Sequence, residues 1–143
     1  MRLVRLAKQN WEVLAVCDAR GRCQVLDFLA ELDGSYHAAV SAMLFLLRRA
    51  IPMDGPPRAE PLCKPLGDGL FELRREPKGK KLRVIWFYGG GTVIVCSSAF
   101  TKAERTPRMR IEQAKFFQKQ YTAARARGDV QVVDLEKGWS WTS

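Results

Sequence analysis

Cationic side chains are concentrated in one stretch of the chain, residues 64–110. This stretch holds 11 Lys and Arg residues against 4 Asp and Glu, so it carries +7 of the chain's net charge of +9. A concentrated positive field attracts polyanions and accelerates their association. The pattern favours an anion such as nucleic acid over a merely solubilising surface, which is the alternative interpretation. The densest run of cations comprises Arg74, Arg75, Lys78, Lys80, Lys81 and Arg83.

Three strands are predicted in this stretch, Leu70–Arg75, Leu82–Tyr88 and Thr92–Ala99, separated by turns rich in Pro and Gly. The cations of the densest run lie on the first two strands and in the turn between them. Side chains alternate along a strand, so Glu72 and Arg74 share one face of the first strand. Arg83 stands between apolar neighbours, and such a charge must reach solvent or a partner. Two structural roles compete with a functional one. Glu72 and Arg74 would form an ion pair, and Arg83 would keep an edge strand from aggregating.

The first half of the chain predicts one strand and two helices. The strand covers residues 10–17, and the helices cover 24–32 and 35–50. The short link between the helices predicts an antiparallel helical hairpin. Prolines in residues 52–65 indicate a connector across the surface.

A final helix is predicted from Thr106–Pro107, with Thr106 as its N-cap, to about Arg127, where Gly128 ends it. The sequence therefore predicts one α+β domain over residues 1–127 and a tail, 128–143, that adds an edge strand or packs on a partner. The sheet is expected to be small and mainly antiparallel. The N-terminal helical hairpin would cover one face with the C-terminal helix beside it, leaving the opposite, basic face open.

Cysteine and histidine content argues against a metal site. The four cysteines match no zinc spacing, and His37 is the only histidine. We therefore expect no metal and no other cofactor. Cys17 and Cys23 flank a turn and could meet, but free thiols in a reducing cytoplasm are the preferred interpretation. Neither a signal peptide nor a run of about 20 apolar residues is visible, so we expect a cytoplasmic protein without a membrane segment.

Three segments together resemble the RelE/HigB superfamily of toxins, most closely its phage-derived HigB-like branch: LGDGLFELRR, LRVIWFY and FTKAERTPRMRIEQAK. The resemblance covers roughly residues 9–126. It implies a type II toxin–antitoxin component that cleaves mRNA, either free or on the ribosome. It also implies inhibition of translation and neutralisation by a cognate antitoxin, commonly a helix-turn-helix protein.

The resemblance also assigns residues. Arg74, Arg83 and Lys102 match basic positions around the scissile phosphate, where cations stabilise developing negative charge, and Glu72 is a candidate general base. Apart from the resemblance, we predict from the basic character of this stretch that RNA is bound by Arg75, Lys78, Lys80, Lys81, Arg105 and Arg108. Residues 103–110 lack the tyrosine or histidine that many relatives use in acid–base chemistry. The competing hypothesis is a noncatalytic module that binds nucleic acid or protein. A DNA-binding regulator is weaker still, since no helix-turn-helix with a basic recognition helix is visible.

Overall fold

A computed structural model describes residues 1–32, 34, 36, 38–39, 41–42, 63–103 and 106–134 of the chain. Seven strands and two helices have defined bounds in these residues. In chain order they are β1 Arg2–Lys8, β2 Glu12–Val16, α1 Gln24–Glu31, β3 Cys63–Gly67, β4 Leu70–Arg75, β5 Leu82–Tyr88, β6 Val93–Thr101, α2 Arg108–Ala126 and β7 Gln131–Asp134. A short 3₁₀ turn, Pro77–Gly79, lies between β4 and β5.

All seven strands form one sheet in the order β3-β4-β5-β6-β2-β1-β7. Strands β3 to β6 make an antiparallel meander, because each is joined to the next by a short connection. The β1–β2 hairpin joins this meander through a parallel pairing of β2 with β6. Strand β7 pairs in parallel with β1 and forms the outer edge. The sheet is therefore mixed and larger than the small, mainly antiparallel sheet that the sequence predicted.

A helix packs on each face of the sheet. One apolar core contains Val25 and Leu29 of α1 together with Leu73 and Trp86 of the sheet. The other core places Tyr121 of α2 and its neighbours against the opposite side of the same strands. Because side chains alternate along a strand, every strand in the middle of the sheet contributes to both cores.

The predicted arrangement of the helices is wrong. The N-terminus forms the β1–β2 hairpin instead of a helical hairpin, and α1 follows it. Residues 34, 36, 38, 39, 41 and 42 also have helical backbone, but the rest of the second predicted helix lies outside the described residues. Helix α2 covers the face opposite α1 rather than lying beside it, so no basic face of the sheet is left open.

Several local predictions are confirmed. Strands β4 and β5 have the predicted bounds, and β2, β6 and α1 agree within two residues at most termini. Helix α2 ends before Gly128, whose φ of +72° is the left-handed value that glycine adopts readily. At its other end, the predicted cap is wrong. Pro107 is the N-cap, and the hydroxyl of Thr106 turns away to contact Glu72.

Within the residues that the structure describes, neither helix is long and apolar enough to cross a membrane.

Candidate functional site

The predicted charged residues meet at the end of the sheet where β4 ends and β5 begins. Arg74 of β4 lies directly opposite Arg83 of β5, and Arg83 in turn lies opposite Phe100 of β6. Lys102 follows two residues later, where its backbone N–H donates to the carbonyl of Lys81 at 2.8 Å. Like charges opposed across an antiparallel pair destabilise a sheet. An arginine pair at this position therefore needs an acidic neighbour.

Glu72 is that neighbour and stands at the centre of the charged cluster, which we define as Glu72, Arg74, Arg83 and Lys102. Its side chain is completely buried. The Oε1 atom lies 3.4 Å from Nζ of Lys102 and 3.5 Å from Nε of both Arg74 and Arg83. The Oε2 atom accepts the hydroxyl of Thr106 at the start of α2. A buried carboxylate is tolerated only with such partners, since an unpaired buried charge is expensive.

Arg83 is bound almost entirely by protein groups. Its Nη1 donates to the backbone carbonyl of Leu82 at 2.9 Å and to that of Arg75 at 3.4 Å. Its Nη2 donates to Oε1 of Glu76 at 2.8 Å. That hydrogen bond is the main reason why the pKa of Glu76 lies below its ordinary value. Arg83 therefore fastens the β4–β5 connection to the centre of the cluster.

Exposure separates the three cations of the cluster. The side chain of Arg74 is 23% exposed, whereas those of Arg83 and Lys102 are only 2% and 5% exposed. Arg74 is therefore the most solvent-exposed cation of the cluster. Arg83 and Lys102 lie behind it.

Further cations surround this end of the sheet. Arg75, Lys78 and Arg108 are exposed, whereas Lys80 and Lys81 are half-buried. Lys80 lies with its ammonium 4.5 Å from the centre of the Tyr36 ring, a cation–π contact that leaves its charge near the surface. Arg108 pairs with Glu112 one turn along α2 at 3.1 Å. Arg105, which was also predicted to bind RNA, lies outside the described residues.

A surface groove borders the cluster on the α1 side. It has a volume of about 510 Å³ and is lined by Arg75, Glu76 and Pro77 together with Ala38 and Ala39. The groove links Arg75, which points to the α1 side of β4, with Glu76, which holds Arg83. An anionic ligand at this end of the sheet would thus meet cations on both faces.

The sequence therefore identified the members of the cluster, and the structure brings all four together. The sequence did not indicate that Thr106 and Glu76 contact this cluster. Thr106 precedes a proline and was interpreted as a helix cap. Glu76 was assigned only to a turn. No group of three or more His, Cys, Asp and Glu side chains in the described ranges is placed to hold a metal ion.

One family model matches most of the chain. The model of a family described as phage-derived Gp49-like proteins (DUF891) matches residues 27–119, which is more than half of the chain. The chain belongs to this family. The Gp49-like family is a RelE/HigB-like toxin family, so the resemblance is confirmed at that level. The match includes the whole charged cluster. A search of curated proteins found no match to this Gp49-like protein.

Proposed function

We propose that this Gp49-like protein is the toxin of a type II toxin–antitoxin pair, of the HigB-like branch, and that it cleaves mRNA in the cytoplasm. The observation that carries the proposal is the convergence of Arg74, Arg83 and Lys102 on one buried carboxylate. Cleavage by attack of a 2′-hydroxyl places extra negative charge on the phosphate in the transition state. Cations that are already fixed in position stabilise that charge without reorganising.

Arg74 is the group that we assign to the scissile phosphate. It is the member of the cluster with substantial exposure, and a guanidinium can bind two phosphate oxygens at once. Arg75 and Arg108 are exposed on either side and would bind neighbouring phosphates. The alternating faces of β4 place Arg74 and Arg75 on opposite sides, so the RNA backbone would pass over the end of the sheet.

Glu72 holds the cations in position in this proposal and does not act as the general base. Its carboxylate is fully buried, and both of its oxygens contact protein groups. A base must come within hydrogen-bond distance of the attacking hydroxyl. Glu72 would have to leave its partners to do so. It instead balances the Arg74–Arg83 pair and fixes the orientation of Arg74.

The proposal is tested by inducing the chain briefly in cells without an antitoxin and mapping new 5′ ends in transcripts by primer extension. The wild-type chain should stop growth and produce internal cleavage sites. Arg74→Gln should reduce cleavage by about 10²–10³-fold, which is typical for removal of one electrostatic group. The matched control is Arg127→Gln, because Arg127 is exposed beyond the far end of α2 and pairs only locally with Asp129 among its described contacts.

The unfolding midpoint of each variant is measured as well, because Arg74 is also a partner of the buried Glu72 carboxylate. Assays at a temperature where both variants are fully folded separate lost chemistry from lost structure. Equal cleavage by Arg74→Gln and the wild-type chain would reject the role of Arg74. Absence of new 5′ ends with the wild-type chain would reject the nuclease.

A noncatalytic binding module is the second candidate. It is favoured by the burial of Arg83 and Lys102, whose charges are already paired within the protein. This module would bind single-stranded RNA in a filter assay and leave transcripts and growth intact. Binding that is weaker in Arg74→Gln than in Arg127→Gln, without cleavage by either, would support it.

The antitoxin is the second partner in the proposal. A neighbouring gene for a helix-turn-helix protein should restore growth when it is expressed together with the chain. Growth arrest that persists despite stable expression of that neighbour would argue against this pairing. That outcome would leave the nuclease activity itself untouched.

A further inference from the structure

The connection between β2 and α1 holds two cysteines in a tight hairpin. Cys17 and Cys23 form an antiparallel bridge across a turn whose shape is fixed by backbone hydrogen bonds. The N–H of Asp18 donates to the carbonyl of Arg22 at 2.7 Å, and that of Gly21 donates to the carbonyl of Asp18 at 3.0 Å. Gly21 has a φ of +80°, as expected for the last residue of a three-residue hairpin loop.

The Asp18 side chain reinforces the same turn. Its Oδ1 accepts the N–H of Arg20 at 2.8 Å and that of Arg22 at 2.9 Å. The segment between the two cysteines is therefore closed by several hydrogen bonds. These hydrogen bonds hold Cys17 and Cys23 opposite each other.

The register of this hairpin suits a disulfide. The hydrogen bond between Asp18 and Arg22 occupies the pair next to the turn, so Cys17 and Cys23 form the following, non-hydrogen-bonded pair. Such pairs have Cα atoms about 4.5 Å apart. Disulfides span Cα distances of about 4.4–6.8 Å. Both thiols are free.

The two thiols are about equally buried, with 6% of Cys17 and 5% of Cys23 exposed, and both belong to the α1-side apolar core. They differ in their surroundings. Cys17 also borders a surface groove of about 700 Å³, which is lined by Arg2, Arg20 and Phe116 as well. Cys23 is the N-cap residue of α1. A reagent in the groove therefore lies nearer to Cys17 than to Cys23.

The charges around the groove favour an anionic reagent at Cys17. Arg2, Arg20, Asp18 and Asp129 all line it. The Asp18 carboxylate accepts two backbone hydrogen bonds within the turn, and the Asp129 carboxylate pairs with Arg127 at 2.9 Å, so the two arginines are the groups that would bind a ligand carboxylate. Burial raises the pKa of Cys17; the charge of Arg2 opposes that shift and the charge of Asp18 adds to it. Burial raises the pKa of Cys23 to about 11, so Cys23 forms little thiolate near neutral pH.

We propose that Cys17 and Cys23 are a reversible dithiol site that reacts with small, carboxylate-bearing disulfides of the glutathione class. The Cys17 thiolate attacks one sulfur of the small disulfide, breaks its S–S bond and releases the first thiol. The Cys23 thiolate then attacks the Cys17 sulfur of the mixed disulfide, forms the Cys17–Cys23 bond and releases the second thiol. Two protein thiols are oxidised, one small disulfide is reduced, and the two thiol protons leave on the released thiols.

The bond would fasten the start of α1 to the end of β2. The residue after Cys23 is Gln24, whose amide donates to the carbonyl of Ala99 at 2.7 Å and accepts its N–H at 2.8 Å. Oxidation would thus lock a junction of β2, α1 and β6. This inference stands independently of the proposed nuclease activity.

The test uses the purified full-length chain and oxidised glutathione at mildly alkaline pH. Remaining thiols are then blocked with iodoacetamide, and the protein is digested with trypsin without reduction. Cleavage after Arg20 and Arg22 places the two cysteines on separate peptides, residues 9–20 and 23–48. A linked pair of these two peptides, lighter by two hydrogens than their sum, is the expected product. The reductant dithiothreitol should restore both thiols.

Two serine variants determine the order of events. Cys23→Ser should stop at a glutathione adduct on Cys17, because no second thiol can displace it. Cys17→Ser should remain largely unmodified in the folded state. Cys63 and Cys96 are buried in β3 and β6 and serve as internal controls that stay unmodified until the chain is unfolded. Primary modification of Cys23, disulfides to Cys63 or Cys96, or no reaction in the folded wild-type chain would each overturn the proposal.

Discussion

The two faces of the sheet differ most where β4 meets β5. On the α1 side, Leu73 and Val84 belong to a continuous apolar core. On the α2 side, one residue away along the same strands, Glu72, Arg74 and Arg83 form a network of charges. Replacing a buried ion cluster by apolar residues of similar volume is often neutral or stabilising. Stability alone therefore does not explain the charged face, whereas an anionic ligand would.

The largest expected effect is on the charged face. Glu72→Gln keeps the shape of the side chain but leaves three cations without their shared carboxylate. We expect it to lower the free energy of unfolding by about 3–5 kcal/mol, which is typical when one partner of a buried ion pair is lost. The matched substitution on the apolar face is Leu73→Met, which conserves volume and should cost less than about 1.5 kcal/mol. Urea denaturation of both variants measures the difference.

Equal destabilisation by the two substitutions would remove the distinction between the faces. It would mean that Glu72 is held mainly by packing. In that case the positioning role given to Glu72 in the proposed mechanism would also be wrong.

The stability contributed by the two faces should be lost at opposite extremes of pH. All four cysteines belong to the α1-side core, and burial raises the pKa of Cys23 and of Cys63 to about 11, above the ordinary value of 9.0. Their contribution to stability is complete below pH 9.0 and is lost as the pH rises towards about 11. Each thiol can add a slope of up to about 1.4 kcal/mol per pH unit in that window. Urea denaturation across the window should show the loss, and Cys63→Ala should make it shallower.

At the charged cluster, which Glu76 contacts through Arg83, the sign is reversed. The pKa of Glu76 is lowered by its hydrogen bond from Arg83, so its contribution is present above the ordinary value of 4.5 and is lost as the pH falls below it. Glu76→Gln should therefore flatten the acid side of the stability curve and leave the alkaline side unchanged. A change on the alkaline side instead would contradict the assignment of the two faces.

The smallest expected effect lies at the far end of α2. The hydroxyl of Tyr121 donates to the carbonyl of Gly89 at 2.7 Å in a buried site. Tyr121→Phe should cost about 1 kcal/mol, as for one neutral hydrogen bond, and leave RNA cleavage unchanged. Urea denaturation and primer extension check the two statements. A strong loss of cleavage with normal stability would mean that the functional site reaches further along α2 than the charged cluster.

Alternation and turn chemistry were enough to predict the centre of the sheet. Apolar and charged residues alternate from Phe71 to Arg74 in β4 and from Leu82 to Val84 in β5, and Pro77 and Gly79 mark the turn between the strands. That pattern fixes which residues share a face. It therefore places Glu72 and Arg74 on the same face.

The remaining strands carry weaker signals. Arg5 and Lys8 interrupt β1, although Leu3, Val4 and Leu6 are buried. Pro65 made β3 look like a connector, but an edge strand tolerates a residue without an N–H. Whether these two segments form strands depends on pairing with residues far away in the sequence, and local sequence patterns do not report that pairing.

Local sequence patterns also could not predict that the cations are buried. An arginine in a strand is normally expected to point to solvent. Arg83 is buried in a cluster that residues distant in sequence complete: Lys102, directly after β6, and Thr106, just before α2, both contact Glu72. To predict that these cations are buried, one would have had to know which face of the sheet α2 covers.

The parallel pairing of β2 with β6 bears on how the chain acquires its structure during synthesis. The first hairpin leaves the ribosome long before Thr101, the last residue of its central neighbour. Until then its apolar edge has nothing to pair with, and contacts between such distant segments form slowly. The hairpin is therefore the part of the nascent polypeptide that most needs a chaperone.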